Sequence, residues 1–263
     1  MRSDPNPSKP HQPLISISVV SHGDGTVLRN MLESLARHES PDQIQLLVTD
    51  NLRDDLGDIP PTPWQSVVML RPDRARGYAA NHNAAFQKAS GPYFCVVNPD
   101  VLFLEAVFSQ LIRRVDTGDG QIAAPLIVDS HGVVQDSFRR LPSPWELVRR
   151  RAGLTAAVVT PASGALLHPD WIAGIFMLMR KETFERLGGF DPRFRLYFED
   201  VDLCTRARLQ GLEILVDAGL RLAHDPRRAS RRLGVQLLWH LQSALRFFAS
   251  SAYRRSRQLS SHG

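Results

Sequence analysis

Lysine is scarce in this chain, which has only three in 263 residues: Lys9, Lys88 and Lys181. No Gly-Lys-Ser or Gly-Lys-Thr triplet is present, and a P-loop needs one to hold nucleotide phosphates. No Gly-x-Gly-x-x-Gly pattern follows the first predicted strand either. The sequence therefore argues against a P-loop and against a dinucleotide-binding site of the common type.

The chain has only two cysteines and no long apolar run. Cys95 and Cys204 lie in apolar surroundings without the spacing of metal ligands, which predicts two buried thiols in a reducing compartment rather than a disulfide framework. No apolar run approaches the roughly 20 residues that span a bilayer, and residues 1–13 are polar and rich in proline. We therefore expect a flexible segment over residues 1–13 and a cytoplasmic protein.

Hydrophobic residues make up 43% of the chain, enough for one sizeable α/β domain. Apolar strand patterns alternate with helical patterns along the first half. The predicted strands are Leu14–Val20, Ile44–Thr49, Val67–Leu70, Tyr93–Val97 and Ile122–Val128. The predicted helices are Val27–Arg37, Tyr78–Ala89 and Leu104–Val115. This alternation predicts a mostly parallel sheet flanked by helices, followed by a proline-containing irregular connection over residues 130–170.

Polar side chains follow three of the predicted strands. Ser21 and His22 follow the first strand, Asp50 and Asn51 follow the second, and Asn98-Pro99-Asp100 follows the fourth. In an α/β sheet, ligands bind beyond the carboxyl ends of the parallel strands. These residues are therefore expected to converge on one binding rim, with Ser21, His22, Asp50 and Asn98 in contact with a substrate.

Three acidic residues lie close together in the segment 188–206: Glu199, Asp200 and Asp202 follow the aromatic residues Tyr197 and Phe198. A carboxylate partly desolvated by aromatic side chains has a raised pKa and is a better proton acceptor once ionised. The same acids also suit the N-terminus of a helix, where they interact favourably with the helix dipole. From these residues alone, a general base and a helix N-terminus are both open.

The motifs, taken in order, resemble those of inverting glycosyltransferases of family 2, which have the GT-A fold. They are Ser21-His22, Asp50-Asn51, the run 76–83, Asn98-Pro99-Asp100, the acidic segment 188–206 and the late His224. The resemblance covers about residues 14–230 and is greatest for rhamnosyltransferases that build bacterial surface polysaccharides. It implies a GT-A domain over these residues, a sugar donor linked to dTDP or UDP, and a lipid-linked or polysaccharide acceptor.

The resemblance also assigns donor-binding roles. Asp50 would accept a hydrogen bond from the imide N–H of uracil or thymine; an aspartate that starts a turn is the alternative. By their chemistry, Arg76 would pair with phosphate, and Gly77, Ala79 and Ala80 would permit close approach of the backbone to a ligand at a helix N-terminus. Asn81, at the end of this run, is a further expected contact with the nucleotide. A tight contact between helix and sheet is the alternative for this run.

Asn98-Pro99-Asp100 stands where the family usually places its Asp-x-Asp metal motif. A divalent cation, Mg²⁺ or Mn²⁺, would there neutralise the leaving diphosphate. Asn98 contributes a neutral oxygen in place of a carboxylate, so weak metal binding is expected. Asp100 and, by the resemblance, His224 are the expected metal ligands; a structural histidine is the alternative for His224.

For catalysis, the resemblance makes Asp200 the general base, which takes the proton of the acceptor hydroxyl on the side opposite the leaving diphosphate. Asp202 is the second choice. Glu199 is expected to support the loop or contact the acceptor, and Arg206 to orient or neutralise these acids. Gly174, in the segment before a predicted strand, would line the sugar pocket, or else pack tightly against the sheet.

The net charge of +5 is unevenly distributed. Residues 221–263 contain nine arginines and one acid, Asp225, and so carry +8, which leaves −3 for the rest. In residues 231–263 a helical pattern places apolar side chains on one face: Leu237, Leu238, Leu241, Ala244, Leu245 and Phe248. This basic amphipathic helix and tail suits an anionic membrane surface. Packing on the parent domain or on a second copy in a homodimer is the alternative, and no nucleic-acid motif accompanies the charge.

Three functions stay open. The first is a glycosyltransferase that acts peripherally at the inner face of the cytoplasmic membrane, in cell-surface glycan synthesis. The second is a catalytically weak nucleotide-binding partner subunit of a glycan assembly complex, an alternative that Asn98 keeps open. The third is a sugar nucleotidyltransferase, which the scarcity of lysine disfavours because such enzymes use a lysine-bearing glycine-rich loop.

Overall fold

The computed structural model describes residues 14–23, 25–53, 56, 59–151, 154, 160–224 and 233–260. The segment 1–13, predicted to be flexible, lies outside the described residues, as do four of the C-terminal arginines: Arg227, Arg228, Arg231 and Arg232.

The strands are β1 Ile15–Ser21, β2 Ile44–Asp50, β3 Ser66–Leu70, β4 Tyr93–Val97, β5 Val101–Phe103, β6 Ile122–Val128, β7 Phe138–Arg139, β8 Leu166–Leu167, β9 Trp171–Ile172, β10 Phe176–Arg180 and β11 Ile214–His224. Nine of them form one sheet in the order β3-β2-β1-β4-β10-β6-β11-β5, with β8 paired to β11, while β7 and β9 form a separate two-stranded sheet. Strands β1 to β4 are mutually parallel, and β10 is antiparallel to both β4 and β6. Since β11 is parallel to β6, the strands β1–β4, β6 and β11 all run in one direction, which confirms the mostly parallel sheet.

The helices are α1 Gly25–His38, α2 Tyr78–Phe86, α3 Phe108–Thr117, α4 Pro144–Arg151, α5 Lys181–Arg186, α6 Glu199–Leu209, α7 Leu233–Ala249 and α8 Ser251–Ser260. Helix α3 begins at Phe108 rather than at the predicted Leu104. The reason is a contact that the local pattern does not contain: Glu39 Oε1 accepts the backbone N–H groups of Val107 and Phe108, at 2.6 and 3.0 Å. A carboxylate there satisfies donors that have no partner inside the helix.

The connection expected to be irregular over residues 130–170 contains two short strands and helix α4. The strand β7 is ordered by pairing with β9, which joins Phe138 to Ile172 in register. Asp170 adds a side-chain contact, since its Oδ2 accepts the backbone N–H of Leu141 at 2.7 Å. The prediction missed β7 and β8 because each of them pairs with a strand that comes later in the chain, β9 and β11 respectively.

The C-terminal helices pack on the domain through a second apolar cluster, separate from the core around the sheet. Its buried members are Phe194, Phe198, Val201, Ala244 and Phe247. Helix α7 therefore covers the segment that leads into α6. Of the predicted apolar face of α7, Ala244 is buried, whereas Leu237, Leu238, Leu241 and Leu245 are exposed.

No helix among the described residues is long and apolar enough to cross a membrane. Aromatic contacts hold α7 and α8 in place. The ring centroid of Phe247 lies 5.5 Å from that of Phe198 and 5.3 Å from that of Tyr253. Such contacts stabilise beyond the burial of their area.

This packing predicts the effect of truncating Phe247. Phe247→Ala should lower the free energy of unfolding by about 3–5 kcal/mol, because it leaves a cavity beside Phe198. Urea denaturation measures this change. Phe248→Ala is the matched control: the neighbouring ring is only half-buried, so the loss should be clearly smaller. Equal losses for the two variants would contradict the packing of α7 described above.

Candidate active site

The carboxyl ends of the parallel strands bring the first group of predicted residues together. Ser21 and Asp50 are direct partners in the β1–β2 ladder. The next strand, β4, ends at Val97, and the backbone N–H of Asn98 donates to Ile175 O at 2.9 Å. The rim expected from the strand order is therefore present, and the start of β10 lies beside it.

Asn51 organises this rim. Its backbone N–H donates to Ser21 O at 3.1 Å, and its side-chain Nδ2 lies 3.2 Å from His22 Nδ1. The same amide exchanges two hydrogen bonds with the backbone of Arg76: Nδ2 donates to Arg76 O at 3.0 Å, and Arg76 N donates to Oδ1 at 2.9 Å. The sequence alone gave Asn51 no role, although a side-chain amide next to Asp50 at the end of a strand could have indicated a hydrogen-bonding role at the rim.

Several polar atoms near the rim are buried and have no hydrogen-bond partner among the described residues: Ser21 Oγ, Thr49 Oγ1, Asp50 Oδ1 and Asn81 Oδ1. A buried polar atom without a partner costs free energy. Asp50 is 3% exposed, so its Oδ1 is an acceptor that a bound donor group would satisfy. The side chain of Arg76, by contrast, is exposed at this rim.

Gly77 and Gly174 are required by contacts within the protein. A Cβ on Gly77 would lie 2.5 Å from Arg195 O, and the next residue, Tyr78, donates its backbone N–H to the same oxygen at 2.9 Å. A Cβ on Gly174 would lie 2.7 Å from the Tyr78 hydroxyl, which donates to Gly174 O. The space beside both glycines is therefore filled by Arg195, from the loop before α6, and by Tyr78, from α2, and not by the sheet.

Asp100 and His224 meet although 123 residues lie between them. The β11–β5 ladder pairs His224 with Val101, and His224 Nε2 lies 3.2 Å from Asp100 Oδ1. The other ring nitrogen, Nδ1, lies 2.9 Å from Gln135 Oε1. Gln135 fixes the orientation of the imidazole, and no local sequence signal identifies it.

The turn before α6 has an unusual backbone. Tyr197 and Phe198 have φ values of 69° and 67°, the left-handed region that non-glycine residues rarely adopt. Helix α7 holds this turn: Ser243 Oγ donates to Leu196 O at 2.9 Å, and His240 lies 5.4 Å from Phe198 between ring centroids. Strain of this kind is characteristic of functional sites.

Glu199 and Asp200, at the first positions of α6, differ in their hydrogen bonds. Burial raises the pKa of Glu199 well above its usual range, and the nearby charge of Asp200 raises it further. Burial also raises the pKa of Asp200, but two backbone N–H donors oppose this: Gly174 at 3.0 Å and Val201 at 2.8 Å. Glu199 Oε2 has no hydrogen-bond partner in the described part of the chain. A proton shared by the pair therefore resides on Glu199, and Asp200 is the carboxylate.

Asp202 and Arg206 form an ion pair one helical turn apart, with Arg206 Nε 2.7 Å from Asp202 Oδ2. Arg206 also donates to Leu187 O and, at 2.8 Å, to Gly189 O. This pair ties α6 to the turn at Gly188-Gly189, where both glycines have positive φ. The expected role of Arg206 in neutralising an acid is therefore met by Asp202, whose carboxylate is engaged in this ion pair.

The raised pKa of Glu199 makes the stability of the fold depend on pH. An acid whose pKa is raised by folding stabilises the fold below its unfolded pKa, and this stability is lost as the pH rises through the folded pKa. Glu199→Gln removes the loss, so we expect the variant to be more stable than the parent protein at pH 8 and the gain to shrink toward pH 4. Urea denaturation across this pH range measures it.

The exposed Glu185 on α5 supplies the control for that experiment, because Glu185→Gln removes one negative charge without a buried carboxyl. A Glu199→Gln variant that is less stable than the parent protein at both ends of the pH range would contradict a protonated Glu199.

Solved structures with the same fold are glycosyltransferases. The chain superposes on the mannosyltransferase PcManGT from Pyrobaculum calidifontis, in complex with GDP-Man and Mn²⁺, with a TM-score of 0.60 and 15% identity, over 92% of this chain and 66% of that one. GalNAc-T7 with UDP, GalNAc and Mn²⁺ gives a TM-score of 0.62 and 16% identity over 82% of this chain. The chain spans 44% of GalNAc-T7, less than half its length. The fold is therefore of the GT-A type.

Two curated relatives match most of the chain. Rhamnosyltransferase WbbL of Escherichia coli is 25% identical over 90% of this chain and 93% of its own length. The N-acetylglucosaminyl-diphospho-decaprenol L-rhamnosyltransferase of Mycobacterium tuberculosis is 28% identical over 90% of this chain and 84% of its own. The family model for glycosyl transferase family 2 matches residues 16–209. Since that match covers the rim, the glycine-dependent contacts and the acidic turn, the chain belongs to glycosyl transferase family 2.

Proposed function

We propose that the protein transfers rhamnose or a related hexose, with inversion, from a dTDP- or UDP-linked donor to a hydroxyl of a lipid-linked or polysaccharide acceptor. The observation that carries this proposal is Asp200, a carboxylate held by two backbone N–H groups at the edge of the nucleotide rim. The two rhamnosyltransferase relatives support the sugar, and the mycobacterial one, whose name specifies a diphospho-decaprenol substrate, supports a lipid-linked acceptor.

Donor binding is assigned to the rim. The unpartnered buried oxygen of Asp50 would accept the imide N–H that both uracil and thymine carry. Asn51 holds the backbone of Arg76 in place, so that the exposed guanidinium can reach a phosphate. Ser21, His22 and Asn81 complete the nucleotide site in this proposal.

Asp100 and His224 are the residues that would hold a divalent cation, Mg²⁺ or Mn²⁺, with Asn98 supplying a neutral oxygen. Such a cation neutralises the negative charge that develops on the leaving diphosphate. In the described part of the chain, no group of three His, Cys, Asp or Glu side chains is arranged to bind a metal ion. One carboxylate and one imidazole fit a cation that also takes oxygens from the donor, so this chain would hold the metal weakly without its substrate.

The chemical step needs a proton acceptor. The acceptor hydroxyl attacks the anomeric carbon, its proton passes to the Asp200 carboxylate, and the bond from that carbon to the diphosphate oxygen breaks with its electron pair. Asp200 suits this task because its pKa is raised by burial while its N–H donors from Gly174 and Val201 keep it ionised and oriented. Protonated Glu199 next to it adds no second negative charge that would compete for the proton.

Asp200→Asn tests the base directly. We expect turnover to fall by about 10²–10⁴-fold, because an amide cannot accept the proton. Thermal shifts with a panel of dTDP- and UDP-sugars, with and without Mn²⁺, identify the donor and should show that the variant still binds it. Turnover is then measured as release of the nucleoside diphosphate, with a polyprenyl-diphosphate-linked N-acetylglucosamine as the first acceptor, following the mycobacterial relative.

Asp202→Asn is the comparison variant for that assay and should retain most of the turnover, since Asp202 is engaged by Arg206. Loss of turnover in Asp202→Asn but not in Asp200→Asn would make Asp202 the base. Donor binding without turnover in the unmodified protein would favour the partner-subunit function, for which the amide at Asn98 is the specific observation. Release of diphosphate from a nucleoside triphosphate would favour a sugar nucleotidyltransferase.

Asp50→Asn tests donor recognition. The substitution replaces a charged acceptor by an amide, so the KM for the donor should rise about tenfold or more while kcat changes little. Thr49→Val is the matched control on the same strand: it removes another buried oxygen without a partner, Thr49 Oγ1, at nearly constant volume, and should leave KM unchanged. An unchanged KM in Asp50→Asn would remove Asp50 from the donor site.

A further inference from the structure

Helix α7 exposes a row of large apolar side chains that no described residue covers. They are Val235, Leu237, Leu238, Leu241 and Leu245, here called the outer stripe. Leu245 is 71% exposed and Leu238 is 52% exposed. Helical spacing places Leu238, Leu241 and Leu245 on the side of α7 opposite the buried Ser243 and Phe247, with Val235 and Leu237 at the two edges of the stripe. Contiguous exposed apolar residues of this kind mark an interaction surface.

The inner face of α7 contacts the turn that carries the candidate base. Ser243 Oγ donates to Leu196 O, the guanidinium of Arg195 lies 4.4 Å from the Trp239 ring centroid, and Phe247 packs on Phe198. The helix therefore separates the outer stripe from the acidic turn by its own width of about 10 Å. Whatever the outer stripe binds is held close to the site.

The two C-terminal helices carry charge of one sign only. No aspartate or glutamate occurs from residue 226 to residue 263. Arg246 on α7 and Arg254, Arg255 and Arg257 on α8 are exposed. Arg193, whose carbonyl contacts Arg246, is already paired with Asp191. An exposed apolar stripe on a helix pair whose charged side chains are all basic complements a surface that is apolar beneath anionic groups.

The same charge disfavours a second copy of this chain as the occupant. A symmetric dimer through α7 would place the arginines of one copy near those of the other, and the two helices supply no carboxylate to neutralise them. An anionic lipid surface meets both requirements at once, because the acyl region takes the leucines and the headgroups take the arginines.

We infer that α7 and α8 form a docking surface for an anionic bilayer, with the outer stripe inserted at the headgroup boundary and the arginines on the lipid phosphates. Docking in this way holds the turn at Tyr197–Phe198, and with it Asp200, within reach of an acceptor in the membrane. This inference goes beyond the proposed function, since it names the surface that brings the protein to its lipid-linked substrate.

The experiment is vesicle flotation with the full chain. We expect binding to phosphatidylglycerol-containing vesicles, little binding to pure phosphatidylcholine vesicles, and weaker binding at high ionic strength. The double variant Leu238→Gln/Leu245→Gln should bind at least about tenfold more weakly. Each of Arg254→Gln and Arg255→Gln should weaken binding about fivefold.

Leu104→Gln is the matched control, because the exposed fraction of Leu104, 50%, nearly equals that of Leu238, 52%. Leu104 follows β5 in the chain and is not part of α7. It should bind like the parent protein, and urea denaturation of each variant shows whether the fold is retained. Absence of vesicle binding, or binding that the Leu238→Gln/Leu245→Gln variant does not weaken, overturns the inference. So does a dimer in sedimentation that the same variant dissociates. The assay uses neither donor nor acceptor, so its failure leaves the proposed function standing.

Discussion

The backbone of Gly174 is the junction on which the site depends. Its carbonyl accepts the Tyr78 hydroxyl from α2, and its N–H donates to Asp200 Oδ2 on α6. Gly174 lies just before β10, whose ladder with β4 pairs Phe176 with Val97 and so places the junction beside Asn98. A Cβ at this position would lie 2.7 Å from the Tyr78 hydroxyl, so only glycine lets the two helices and the sheet edge meet.

Several features around this junction lower the stability of the folded state. Glu199 is buried with an oxygen that has no partner among the described residues, and the two residues before it have left-handed backbones. Each such feature costs free energy and persists only where the surrounding structure enforces it. The enforcement comes from α7, whose Ser243 and Phe247 contact the turn, so the C-terminal helices serve the site as well as the core. The opposite side of the same helix exposes leucines, so one helix both holds the turn and forms part of the surface of the domain.

Local pattern was sufficient where burial alone defines an element. The strands Tyr93–Val97 and Ile122–Val128 have the bounds that the sequence predicts, because a continuous apolar run ends where the side chains become polar. It failed where a distant side chain sets the boundary, as at α3, whose start depends on Glu39. The packing reasons for Gly77 and Gly174 were equally hidden, since Arg195 and Tyr78 reach them only in the folded chain.

The sequence by itself determined the fold class, and its motifs indicated the family: alternating apolar runs specify a covered parallel sheet, and the polar residues after three strands lie at one edge of it. Only the tertiary structure decided which of those residues act together. The β11–β5 ladder brings His224 to Asp100, and the N–H groups of Gly174 and Val201 distinguish Asp200 from its neighbour Glu199. The physical reason is that residue type is local, whereas pairing, burial and the pKa of a carboxyl depend on atoms that folding brings from elsewhere in the chain.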